Sequence, residues 1–176
     1  MSELVETGYG GLDRRVGAFF LDVLLVYLAS AAIQAAIYAL IGGFPLDRST
    51  SGSAYLAWFL LTFSLPLLLY FTLLESSLNR ATPAKRLLKL RVVDLQGERI
   101  GFRRALLRSI FKLLPWELLF VTVFLPDPLF FDPTVVARPA VFLLYLLLGL
   151  YMLAMIFSPR KRGIHDLLAG TLVMIG

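Results

Sequence analysis

Between Val16 and Ile41 the chain carries a single charge, Asp22. A helix that crosses a bilayer needs about 20 predominantly apolar residues, so this stretch is long enough to do so. An ionised carboxylate near the middle of such a helix costs roughly 2.5–3.5 kcal/mol on insertion scales. A chain that keeps one must give it a partner, a proton or a task. Arg14 and Arg15 stand at the mouth of the stretch.

Composition agrees with a membrane setting. The 176 residues are 59% hydrophobic, with a mean hydropathy of +0.80, where soluble domains are about 45–50% apolar. The expectation is one integral membrane domain spanning residues 1–176. Cysteine is absent and His165 is the only histidine. Disulfides, thiol catalysis and cysteine-rich metal sites are excluded, and neither a metal nor a cofactor is expected. No lysine or arginine precedes Arg14, so the basic region that opens a signal peptide is missing. The first apolar run is expected to remain as a transmembrane helix.

Further apolar runs cover Ala54 to Leu74 and Ala140 to Phe157. A fourth, Leu113 to Leu125, is short and contains Glu117, but extends back through Leu106 and Ile110. Spans are therefore expected at about 16–41, 54–74, 106–125 and 140–157. Arg108 and Lys112 then fall at one end of the third span, where their stems can snorkel. Pro115 should loosen that helix near Phe111, because proline removes a backbone bond.

Basic residues orient the spans. Two precede the first, ten lie between Arg80 and Lys112, and three follow the last, which leaves Arg48 and Arg138 for the other two loops. The positive-inside rule places both termini and the central loop, 76–104, in the cytoplasm. That arrangement needs an even number of spans, and four satisfies it. Glycine, serine and proline mark the outer loops, and Tyr55 and Trp58 suit an interfacial belt.

Inside the central loop, Lys89 to Asp94 alternates polar and apolar residues, and Leu95-Gln-Gly97 follows as a turn before Glu98-Arg-Ile100. This reads as a β-hairpin. A lone hairpin is marginal in water, and Thr171 to Ile175 offers a further strand, with Ile164 to Ala169 a short helix or turn before it. The fold class expected is an all-α, polytopic four-helix transmembrane bundle with a small cytoplasmic β element. The basic loop suits anionic lipid headgroups. It lacks the aromatic interleaving of a nucleic-acid surface, so no nucleic-acid partner is expected.

Four segments, in order, resemble the RDD family of membrane proteins, named for one arginine and two aspartates. They are Arg15-Val-Gly-Ala-Phe-Phe-Leu-Asp22, Ala81-Thr-Pro-Ala-Lys-Arg86 running on to Gly97, Leu106-Leu-Arg108, and Arg162-Gly-Ile-His-Asp166 running on to Val173. The resemblance implies that Arg15, Asp22 and Asp166 are the signature residues, with His165 beside the last and Asp94 the other candidate for the second aspartate. Ala84 and Lys89 stand where that family usually has glycine. It also implies a polytopic membrane protein, with cation/proton antiport suggested for some members and accessory or assembly roles for others.

Placed on the expected spans, Arg15, Asp22, Glu75, Arg108, Lys112 and Glu117 reach similar depth, three acids against three bases. Asp22 lies seven residues beyond Arg15, about 10.5 Å along the axis, too far for a direct pair. Arg108 or Lys112 is the expected partner of Asp22. Two roles are open to the group. It is either an ion-pair lock that sets helix register or a relay that exchanges a proton for a cation. For His165-Asp166 the simple expectation is that Asp166 caps the short helix or bonds the basic loop. No nucleophile with a base, metalloprotease helix or phosphate loop is apparent, so an enzyme is not expected. The expected function is transport of a small ion in the cell membrane by cation/proton exchange, with a non-catalytic accessory or scaffold subunit as the alternative. A homo-oligomer or a membrane-protein partner would suit so small a bundle.

Overall fold

The computed structural model describes residues 8–43, 51–125, 139–158 and 160–176. The expected outer loops lie largely outside them. Helix α1, Leu12–Ile41, buries Arg15, Ala18, Asp22, Val26 and Ser30. Steps of three and four residues put these on one face. Its other faces are apolar and open, with Leu24, Leu25, Tyr27 and Leu28 each at least half exposed. The helix stops at Gly42, whose left-handed backbone turns its N–H back to the Tyr38 carbonyl.

Helix α2, Gly52–Phe59, a π-helical turn, Leu60–Ser64, and α3, Leu65–Glu75, run on as one helix. Pro66 lies in the first turn of α3. Without an N–H it cannot serve the carbonyl four residues back, and the wider π turn falls where that bond is missing. Trp58 reaches across to α1 and donates to Gln34 at 3.1 Å. This helix and α1 are each long and apolar enough to cross a membrane.

After α3 comes the short helix α4, Pro83–Leu87, capped by Thr82. It leads into strand β1, Leu90–Asp94. Helix α5, Phe102–Phe124, contains Pro115 and packs on α3. It begins four residues before the expected span. Helix α6, Pro139–Phe157, follows, then α7, Ile164–Ala169, and strand β2, Thr171–Ile175. The loosening expected near Phe111 has a specific repair. Pro115 leaves the Phe111 carbonyl without its helical donor, and the Tyr151 hydroxyl on α6 donates to it at 2.6 Å.

The sheet corrects one expectation. β1 pairs antiparallel with β2, from Leu90 opposite Ile175 to Asp94 opposite Thr171. The hairpin arm after Gly97 is reduced to a single bridge, Val93 to Arg99. The reason is length, since Gly101 already caps α5 and leaves too few residues for a strand. The tail supplies the partner strand instead, and residues 8–10 flank β2 through Gly10 N–H to Val173 O and Ile175 N–H to Gly8 O. Leu90, Val92, Ile100, Ala105 and Val173 then form one apolar cluster with Ala18 of α1. That cluster seats the sheet against the N-terminal end of α1.

Candidate functional site

The sheet end of the helices holds a buried charge network. The C-terminal turn of α3 presents Glu75, and α5 presents Arg108 and Lys112 one turn apart. Between α3 and β1, α4 delivers Lys85, while α7 delivers Asp166 and α1 delivers Arg15. Glu75 is fully buried and accepts from Lys85, from Arg108, and from Lys112 at 2.9 Å. Arg108 forks. Its Nε donates to Asp166 at 2.9 Å while its Nη1 binds Glu75. Arg15 Nη1 meets the other oxygen of Asp166 at 3.0 Å. The remaining donors of Arg15 go to the carbonyls of Gly10 and Val173, so this side chain ties α1 to both the N-terminal segment and β2.

Asp166 has two further donors, Thr171 Oγ at 3.0 Å and Gly163 N–H at 3.4 Å. His165 Nε2 lies 3.6 Å away, outside hydrogen-bond distance. Asp166 therefore closes the first turn of α7 and joins the charge network at once. Burial alone would push the Asp166 carboxyl up, but Arg108, His165 and Arg15 hold it below the usual carboxylate range. Burial lowers the Lys85 ammonium against the pull of Glu75. Burial likewise brings the His165 imidazole down to about 3 despite Asp166, so it is neutral near pH 7.

Asp22, 1% exposed, is bonded differently from the expectation. Its donors are the hydroxyls of Thr82 at 2.5 Å and Tyr70 at 2.6 Å and the backbone N–H of Ala84 at 3.2 Å. Arg108 and Lys112 are not its direct partners, because Glu75 and Asp166 engage the first and Glu75 the second. The place beside Asp22 is taken by α4, which packs on α1. Thr82 is itself the cap of α4 and accepts from Lys85 N–H at 3.4 Å. A threonine followed by proline is a readable helix start, and it marks the segment that meets Asp22.

Of the six residues grouped by depth, Arg15, Glu75, Arg108 and Lys112 are brought together. Asp22 sits next to them through α4. Glu117 stands apart and accepts from Ser64 of the π turn at 3.0 Å. Lys85 and Asp166 complete the network, so four bases face two acids, with Asp22 alongside, rather than three facing three. Asp94 is a turn residue: it accepts from the N–H groups of Glu98 and Gln96 and pairs with exposed Arg104 at 3.3 Å. Those N–H groups, Glu98 first, and Arg104 lower its carboxyl pKa.

A cavity of about 330 Å³ adjoins the network. Arg15, Lys85, Arg108 and Lys112 line it together with Phe19, Phe20, Trp116 and Leu148. No cluster of His, Asp and Glu with metal-binding geometry occurs among the described residues.

Two long apolar helices, open apolar faces and a buried charge network at one end define a membrane protein whose small sheet is fastened to its helices. The RDD family profile matches residues 9–170, and the chain belongs to the RDD family. Neither curated proteins nor solved structures match it. Arg15, Asp22 and Asp166, the residues that the family resemblance singles out, are all buried at the sheet end, two of them in direct contact.

Proposed function

We propose that this RDD protein is a non-catalytic accessory or scaffold subunit of the cell membrane, in which the charge network locks the sheet to a four-span bundle. α5 and α6 supply the third and fourth spans, and both termini, the central loop and the sheet lie in the cytoplasm, as the basic residues require. The observation that carries the reading is the state of Asp22. Three fixed neutral donors surround this carboxylate, and two of them come from Thr82 and Ala84, which open α4. A cation relay needs an acid that exchanges its partner, whereas this one anchors a loop. Purified protein in liposomes under a pH gradient tests the proposal. Dissipation should equal that of empty vesicles with sodium or potassium, and Asp22→Asn should lower thermal stability. Cation-dependent dissipation abolished by Asp22→Asn would overturn it.

Glu117 supports a second reading, cation/proton exchange. Among the described residues its carboxylate meets the Ser64 hydroxyl and no basic group, and an ionisable residue inside a membrane helix marks an ion or proton pathway by default. The same liposomes with Glu117→Gln decide it: flux in the parent protein that this substitution removes favours transport through α5.

A further inference from the structure

We propose that the cavity beside the charge network binds the headgroup and upper acyl chain of a monoanionic glycerophospholipid. The proposal rests on the membrane placement above and is independent of the choice between lock and relay.

The first observation is charge. Arg15, Lys85, Arg108 and Lys112 share two directly bonded carboxylates, Glu75 and Asp166. All four bases line the cavity, and the carboxylates stand behind them. Lys112 gives Glu75 one hydrogen bond and rests its ammonium 3.1 Å from the Phe71 ring centroid. Its other donors have no protein acceptor among the described residues. An anion on the cavity side would balance the surplus of bases, which are costly to bury unpaired.

The second observation is the wall. Phe19, Trp116 and Leu148 make an apolar surface beside the basic groups. Phe20, 54% exposed, stands at the rim among the outward side chains of α1. A ligand that satisfies both sides has a charged head joined to a hydrocarbon chain. Basic pockets between transmembrane helices on the cytoplasmic side suit such heads. The third observation is His165, which lines the same cavity with its Nδ1 buried and without a hydrogen-bond partner in the protein. With its proton on Nδ1, the neutral imidazole would donate to a phosphate oxygen there.

Trp116 reports on the cavity directly. With Trp58→Phe it is the only tryptophan. This variant is reconstituted in phosphatidylcholine vesicles that contain a minor share of either brominated phosphatidylglycerol or brominated phosphatidylcholine, and Trp116 quenching is measured. Phosphatidylglycerol should quench at about fivefold lower mole fraction, the gain expected from one basic contact. Lys112→Gln should remove the preference. Leu148→Phe, which narrows the cavity without touching an ion pair, should reduce it even where Lys112→Gln fails to fold. Equal quenching by the two lipids would overturn the lipid site and leave the membrane placement standing. Quenching by neither would overturn both. Loss of the preference on adding inorganic phosphate would show a free-anion site and overturn the lipid assignment.

Discussion

Arg15 and Asp166 lie 151 positions apart and meet at 3.0 Å, both buried. The contact draws the start of α1 and the start of α7 to one point, and Arg108 shares the same carboxylate. Buried pairs such as this are poor sources of net stability, but breaking one side leaves an uncompensated charge. Asp166→Asn should therefore destabilise the protein by about 3–5 kcal/mol, measured as a fall in thermal midpoint in detergent. Arg15→Lys should also be costly, because lysine cannot reach Asp166, Gly10 and Val173 together as the planar fork does.

Asp22 and Thr82 form a second fastening. Asp22→Asn and Thr82→Ala should each cost about 1–3 kcal/mol, the penalty for unsatisfied buried polar groups. The double variant should lose less than the sum of the two, with a coupling of about 0.5–3 kcal/mol. Thr82→Ser should retain most of the stability, since the hydroxyl both donates to Asp22 and caps α4. Additive losses would show that the 2.5 Å contact does not couple the two.

Pro115 and Tyr151 are linked through a backbone carbonyl. Tyr151→Phe leaves the Phe111 oxygen without its donor and should cost about 1 kcal/mol. In a Pro115→Ala background, where residue 115 regains an N–H, the same change should cost clearly less. Thermal unfolding of the four proteins gives the cycle.

His165 makes stability depend on pH. Its folded value, about 3, lies below the ordinary 6.5, so between these values the unfolded chain binds more protons than the folded one. The His165 contribution should then be constant above pH 6.5 and be lost as the pH drops below it. Asp166, also lowered, adds a further loss as the pH falls below the usual carboxylate range. His165→Phe should remove the loss between pH 6.5 and about 4 while retaining the ring that stacks on Tyr151. A thermal midpoint that falls equally in both proteins over that interval would contradict the assignment.

The orientation is open to a direct check because the chain has no cysteine. Gln96, exposed in the turn after β1, and Ser53, exposed at the start of α2, lie at opposite ends of the long helices. Gln96→Cys should react with an impermeant maleimide only from the cytoplasmic side, and Ser53→Cys only from the outer side. Labelling of both from one side would contradict the proposed topology.

Much of the fold is legible from local pattern. The apolar lengths mark the helices, and the alternation in Lys89 to Asp94 and the short apolar run Thr171 to Ile175 after Gly170 mark the two strands. The partner of β1 is less legible, because pairing across 80 residues depends on where α7 turns at Gly170. The site is legible in its members and not in its bonds. Depth along the spans groups Arg15, Glu75, Arg108 and Lys112 correctly, yet depth says nothing of which way a loop folds back. The fold-back of α4 supplies Lys85 to Glu75 and Thr82 to Asp22, and it leaves Lys89 in a left-handed conformation. Glu117 shares the span of Arg108 and Lys112 but lies further along α5, beside Ser64 rather than Glu75.

The central claim is that the charge network fastens the sheet to the helices, and hydrogen exchange resolved by segment tests it most directly. In Asp166→Asn, the amides of β1 and β2, including Val92 and Val173, should exchange much faster than in the parent, while α1 and the α2–α3 helix keep their protection. If both strands stay as protected as in the parent, the network does not hold the sheet, and the account is wrong.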